Sequence, residues 1–433
     1  MIPRSALAEI AVSLRFADRD ELRVASADVD LDPLEVVRAG HAAFGEAAFY
    51  SDPDGRAVGG LGATRRIVAA GPERFFRLDA ELAELPSGLP ALLGFAFAPE
   101  GAAGEEWDGF PAAEIVVPQI AVVREAGTSR LVLTVPPGAD PAGVLAAAAT
   151  LRPPAEPRIP EPAGLAVVPV PELGEWREQV EDAIASIGAG GLDKVVLARS
   201  LAVRRGAPAS GFDLVALLRD RHPRCRAFGW QAGDAVFVGA SPELLVRRSG
   251  RRFEAVPLAG SAPRGSDPGE DRLLGDALLA SAKDREEHAL VVDDVVRRLL
   301  PHSDSLDVAP GPRLERFTTV QHLATTVSGG GEARLLTLVD ALHPTPAVGG
   351  SPAAEALSFI RKVESIDRGW YSGGIGWVDS GGDGDVSVAL RCALLRDDTA
   401  RLYAGNGIVA GSDPDAEVGE TRLKLRPMLD LLT

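Results

Sequence analysis

The sequence predicts an α+β fold built on antiparallel strands, and three observations carry that prediction. Alternating apolar runs occur in pairs separated by short turn-forming dipeptides, which is the mark of hairpins. Longer segments with apolar residues at helical spacing follow the strand groups rather than alternating with them, so the regular βαβ pattern of a parallel sheet is missing. Starts and stops are punctuated by Pro and Gly where helix termini need them.

Along the chain, residues 1 to about 150 hold short strand-like runs at Ala113–Val123 and Arg130–Val135, then a helical stretch at Val144–Leu151. No chemical motif stands out there. Arg152–Pro171 contains seven prolines and reads as an extended connection, either a linker between lobes or a segment crossing one face of a single domain. This divides the chain into an N-terminal portion, 1–170, and a chemistry-bearing region, 171–433, expected to form one structural domain together.

Beyond that connection, Glu175–Ile187 places Trp176, Val180, Ile184 and Ile187 on one helical face, ending at Gly188–Gly191. Lys194–Val203 alternates as a strand, with Lys194 at its start. Ala227–Gln231 pairs with Ala235–Ala240 across Gly233-Asp234, and Leu244–Arg248 with Arg252–Leu258 across Ser249-Gly250. Glu270–Leu300 is helical with a break near Lys283, and Pro352–Ser365 is a helix opened by proline. Strands are expected at Tyr371–Val378, Val386–Leu395 and Arg401–Val409, then a last helix from about Pro414 to Leu432.

Composition narrows the function. With 46% apolar and 25% charged residues over 433, the chain is ordinary for a globular protein. Charged residues interrupt the first twenty positions and no apolar run approaches eighteen, so neither a secretory signal nor a membrane span is expected and the location is read as cytoplasmic. A net charge of −17 argues against nucleic acid and anionic membranes as partners, while a small anion would need a local cationic pocket. Cys225 and Cys392 lack metal or disulfide spacing. Only four of 45 basic residues are lysine, at 194, 283, 362 and 424. Lysine can lose its proton in a suitable site and arginine effectively cannot, so each surviving lysine is a candidate base.

Two acidic clusters sit on helices. Glu417, Glu420 and Lys424 share a face of the last helix, and Asp284-Arg-Glu286-Glu287-His288 lies mid-helix. Either can be a solvated face. Brought together, they would suit Mg²⁺, which takes a few carboxylate oxygens and keeps waters for substrate oxygens to replace. No P-loop, dinucleotide fingerprint, GxSxG elbow or HExxH pair is present.

The segments Asp193-Lys-Val-Val-Leu-Ala-Arg199, Gly239-Ala-Ser-Pro-Glu243, Pro257-Leu-Ala-Gly-Ser261, Lys283-Asp-Arg-Glu-Glu-His288, His343-Pro-Thr-Pro-Ala347, Tyr403-Ala-Gly-Asn-Gly-Ile408 and Glu417–Lys424 occur in that order. Together they resemble the chorismate-utilising enzymes, over about residues 175–431, with a diffuse likeness before 170. The resemblance implies one large α+β domain with antiparallel sheets packed together and helices outside. It implies Mg²⁺ as cofactor, held by Glu287 and Glu420 with Glu417 close by. It also implies Lys194 as base and Glu243 as acid in adding water to ring carbon 2 of chorismate while the carbon 4 hydroxyl leaves. Lys194 is expected near cationic neighbours that would lower its pKa, and Glu243 in a burial that raises its own. Arg391 would grip the enolpyruvyl carboxylate, with Tyr371, Lys424 and the Gly405 backbone completing the pocket. Gly260 and Ser261 would face the other carboxylate, and His322 would line the ring.

Within the family, Ala347 stands where aminating and salicylate-forming members commonly carry threonine, and Ala259 where aminodeoxychorismate synthases place a lysine. Water transfer without pyruvate loss is therefore the expectation, closest to the isochorismate synthases, with no glutaminase partner. Asp367-Arg-Gly-Trp-Tyr371 and Leu425-Arg-Pro-Met-Leu429 lean toward the menaquinone pathway, with a siderophore-pathway isochorismate or salicylate synthase as the alternative. A non-catalytic chorismate-binding protein is the reading from another class.

Overall fold

The computed structural model describes residues Met1–Thr433. Its strands form one 12-stranded, one nine-stranded and one three-stranded sheet, every pairing antiparallel, with helices on the outside. The 12-stranded sheet takes strands from both sides of the Pro-rich segment: Glu46–Ser51 pairs with Arg226–Ala232 in the register Ala227↔Ser51 to Ala232↔Glu46.

Alternate residues of the central strands enter different cores, because successive Cβ atoms leave opposite faces of a pleated strand. In Ala235–Ser241, Ala235 and Phe237 join the cluster between the two large sheets, while Val238 and Ala240 pack under the outer helices. In the nine-stranded sheet, Leu92 and Val116 face the same inter-sheet cluster, and Leu93, Ile115 and Val117 face the other way. That middle layer is aromatic, with Trp107, Phe110, Trp230, Phe237 and Trp370 buried in edge-to-face contacts. Burying one large apolar side chain is worth about 1.5–3 kcal/mol, so this layer alone is enough to hold the sheets face to face.

Most expected elements are present within a residue or two. The break near Lys283 is real: Pro268–Ala280 ends and Ala282–Leu299 begins at Ser281, whose hydroxyl accepts from the Asp284 N–H. The last helix is Pro414–Leu432, capped by Asp413 with Pro414 in its first turn.

Two expected strands are each divided. Ala113–Val123 becomes Ala113–Val117 and Ile120–Glu125, and Val386–Leu395 becomes Gly384–Val388 and Cys392–Arg396. In both cases the first half belongs to the nine-stranded sheet and the second to the 12-stranded sheet. Pro118 stands at the first crossing and Arg391, with φ of 51°, at the second. Leu258 does not extend Arg252–Ala255 but opens a new strand, Leu258–Pro263, in the small sheet. No helix is long and apolar enough to cross a membrane.

Candidate active site

The chain passes from one large sheet to the other at two adjacent places. Ala235–Ser241 leads through Pro242 and Glu243 into Leu244–Ser249, and Gly384–Val388 leads through Arg391 into Cys392–Arg396. The crossings are bonded side by side: the Val388 N–H donates to the Glu243 carbonyl at 3.2 Å, and the Ala240 N–H to the Arg391 carbonyl at 3.2 Å. Arg391 holds a left-handed φ uncommon for a side-chain-bearing residue. Backbone of that kind persists where its surroundings fix it.

Above these crossings lies a cavity of about 230 Å³, room for one small molecule and no polymer. The structure brings all thirteen residues singled out in the sequence to its walls. Lys194 enters from the start of its strand, lying over Gly407, where an added Cβ would sit 2.6 Å from the lysine Cε. Its ammonium donates to Glu287 Oε1 at 2.7 Å, so its nearest partner is a carboxylate and not the expected cation. Glu287 comes from Ala282–Leu299, and Glu417, Glu420 and Lys424 from Pro414–Leu432.

Lys424 is fully engaged: it donates to Gly405 O at 2.9 Å and Asn406 Oδ1 at 2.8 Å and pairs with Glu420 Oε1 at 2.7 Å. An ammonium has three donors, so Lys424 ties helix to strand and has none left over. Gly260 sits at a bulge with φ of 71°, which turns Ser261 so that its hydroxyl meets His322 Nδ1 at 2.9 Å. Ala347 lies in the loop after Leu335–Leu342, and Tyr371 in the turn before Gly374–Val378, stacked on Tyr403 with ring centroids 5.3 Å apart.

Burial sets the protonation states. The Glu243 side chain is taken out of water, which pushes its carboxyl up to about 7 despite the opposing pull of Lys194 and Lys424. Burial, with Arg391 and Lys424 nearby, brings His322 down to about 3, so its ring is neutral. Burial also raises Glu420, but Lys424, with His322 and Arg391, outweighs it and the net shift is downward. Arg391 is lowered by burial, and its Nη1 has no hydrogen-bond partner. An unpartnered buried guanidinium nitrogen is costly, and a bound carboxylate would satisfy it.

Lys283, Asp284, Tyr403 and Ser412 also line the cavity without having been assigned to it from sequence. Lysine scarcity was the available signal: three of the four lysines face this one space.

The charges test whether a divalent cation fits. With Glu243 protonated, four cations (Lys194, Lys283, Arg391, Lys424) meet four carboxylates (Asp284, Glu287, Glu417, Glu420), a balance near zero. Such a cavity does not by itself attract a dianion. No three or more His, Cys, Asp or Glu side chains converge as a ready-made cage. Mg²⁺ needs none, since it binds through one or two carboxylates and completes its shell with waters and substrate oxygens. A donor set of carboxylate oxygens alone matches that hard ion, and its two charges would make the cavity cationic.

Comparison with known proteins gives the same direction. The family of chorismate binding enzymes matches residues 13–433. The salicylate biosynthesis isochorismate synthase of Pseudomonas aeruginosa is 38% identical over 96% of this chain and 91% of its own. The isochorismate synthase MenF of Bacillus subtilis is 34% identical over 93% of this chain and 91% of its own. Among solved structures, MenF of Escherichia coli, described as a menaquinone-specific isochorismate synthase, superposes with a TM-score of 0.87. It is 26% identical and covers 99% of both chains.

Proposed function

The chain belongs to the chorismate-binding enzyme family, and from that premise we propose that it is an isochorismate synthase, an isomerase acting on chorismate. One observation carries the reading: a lysine and a carboxyl that burial raises to about 7 face the same small cavity, a base and an acid for one ring. Water adds at ring carbon 2 and gives up its proton to Lys194, the assigned base. The ring double bonds shift, and the carbon 4 hydroxyl leaves as water with a proton from Glu243, whose burial raises it to about 7. One water enters and one departs, so the net change is an isomerisation.

Arg391 binds the enolpyruvyl carboxylate through its free Nη1, beside Tyr371 and the Gly405 backbone that Lys424 holds in place. Gly260 and Ser261 face the ring carboxylate, and the neutral His322 lines the ring without adding charge. Glu287 and Glu420, with Glu417 alongside, would hold Mg²⁺. Bound there, the ion supplies a charge clamp and template for the ring carboxylate. At Ala347 the wall carries only a methyl group, which leaves space for water.

The likeness in shape to the menaquinone-specific enzyme supports a role in menaquinone synthesis. The likeness to the salicylate biosynthesis enzyme supports a second reading, supply of isochorismate to a siderophore route. The test is incubation with chorismate and Mg²⁺ and chromatographic resolution of products. Isochorismate alone is expected. Salicylate with pyruvate would make it a salicylate synthase, an aminated product would overturn the proposal, and saturable binding without turnover would make the chain a chorismate-binding protein.

A further inference from the structure

The strand Lys194–Arg204 is paired along one edge from Val195↔Ile408 to Arg204↔Thr399. Its other edge is paired at Lys194 and Val195 with Gly350–Ser351, and again from Ser200 with Ala166–Val170. Between them, Val196–Arg199 has no strand beside it, although these residues are buried. Backbone groups in such a place must find other partners.

The Val196 N–H reaches the Gly349 carbonyl at 2.9 Å, and two side chains supply partners for two further groups. The Ala198 N–H donates to Glu364 Oε1 at 2.7 Å, and Arg368 Nη2 donates to the Val196 carbonyl at 2.8 Å. Glu364 caps the end of Ala353–Val363, and Arg368, four residues on, donates through Nε to Glu364 Oε2 at 2.8 Å. Both side chains are almost wholly out of solvent, at 3% and 4% exposure. Arg368 also lies over the Phe97 ring, 4.3 Å from its centroid.

The third contact gives the pair its reach. Arg368 Nη1 donates to the Val348 carbonyl at 2.8 Å, next to Ala347, and the Arg368 carbonyl accepts from the Tyr371 N–H at 2.9 Å. One guanidinium therefore spans the Lys194 strand and the Ala347 loop, and its backbone fixes the Tyr371 turn. A buried ion pair is a poor way to add stability, since desolvating each ion costs several kcal/mol. An apolar pair could fill the volume but could not bond three backbone groups, two on the strand and one on the loop.

We propose that Glu364 and Arg368 are positioning residues of the catalytic centre, setting the separation between the Lys194 strand and the Ala347 wall and so the seat of the attacking water. The inference rests on the isochorismate synthase reading, because it needs Lys194 as the group that meets that water.

The test is Arg368→Lys, which keeps the charge but has no planar fork to bridge two elements. The expected result is kcat lower by about 10–100-fold with KM for chorismate within about threefold, as for a displaced catalytic group and not a lost binding contact. Calorimetric binding of one chorismate per chain in the presence of Mg²⁺, and an intact circular dichroism spectrum, separate displacement from loss of folded protein. Unchanged kcat in folded Arg368→Lys, a loss confined to KM, or a loss that follows the fraction of binding-competent chains would overturn the role. If that variant does not fold, Glu364→Gln is scored by the same criteria, since its amide oxygen still accepts from Ala198 while the ion pair is gone. Wild-type enzyme run alongside keeps the two readings apart. No turnover of chorismate by wild type overturns the proposed function and the positioning role with it, whereas normal wild-type turnover with a normal variant overturns the positioning role alone.

Discussion

Lys194 and Glu287 are joined by a 2.7 Å ion pair across the cavity, one from the start of a strand and the other from the second turn of a helix. The group proposed to move a proton and a group proposed to hold Mg²⁺ are thus in direct contact, in a site assembled from segments 93 residues apart.

Removing the lysine separates their tasks. Lys194→Ala is expected to lower turnover by about 10²–10⁴-fold, the usual worth of a positioned general base. Calorimetry should still register chorismate binding with Mg²⁺ present. Turnover within tenfold of wild type would remove the assignment of Lys194 as base.

Glu243 gives a pH dependence of defined sign. As the acid it must be protonated, so kcat/KM is expected to fall as pH rises through about 7. Stability follows the same titration: a carboxyl raised from 4.5 to about 7 by folding costs nothing below pH 4.5, opposes folding increasingly between pH 4.5 and 7, and does so by its full amount above 7. The full difference is about 3 kcal/mol. Glu243→Gln should therefore be inactive, equal to wild type in stability at pH 4, and more stable at pH 8. Equal urea midpoints at pH 8 would contradict the buried-carboxyl account.

The carboxylates are separable from the proton-moving pair by metal affinity. Glu287→Gln and Glu420→Gln are each expected to weaken Mg²⁺ binding by about tenfold or more, roughly 1.4 kcal/mol, in titration calorimetry without substrate. Chelation should stop turnover of the wild type, and added Mg²⁺ should restore it. Unaltered affinity in both variants would place the ion elsewhere.

Arg391→Lys tests the carboxylate grip. Losing a planar, charge-assisted contact is worth about 1.5–3 kcal/mol, so kcat/KM for chorismate should drop by about 10–100-fold. Steady-state kinetics measures this, and a drop of less than threefold would show that Arg391 does not bind the substrate.

Much of this protein is readable without its structure. The last helix, the break at Ser281 and the hairpin at Gly233-Asp234 depend on capping, turn residues and local periodicity, all of which act over a few positions. The motif order carries the family, and with it the thirteen residues around the cavity.

Other features were fixed only when distant segments met. Ala113–Val123 and Val386–Leu395 look continuous because both halves of each are apolar, and nothing local says that the second half joins a different sheet. Glu364 and Arg368 carry no local signal of their role, which depends on a gap in a strand some 166 residues earlier. The sequence by itself determined the residue chemistry and the local elements, because propensity, capping and side-chain type are properties of short stretches. Which sheet each strand entered, how Lys194 came to touch Glu287 and how Arg368 came to bridge two walls were decided by tertiary structure alone. Burial and backbone pairing across long separations depend on the assembled whole.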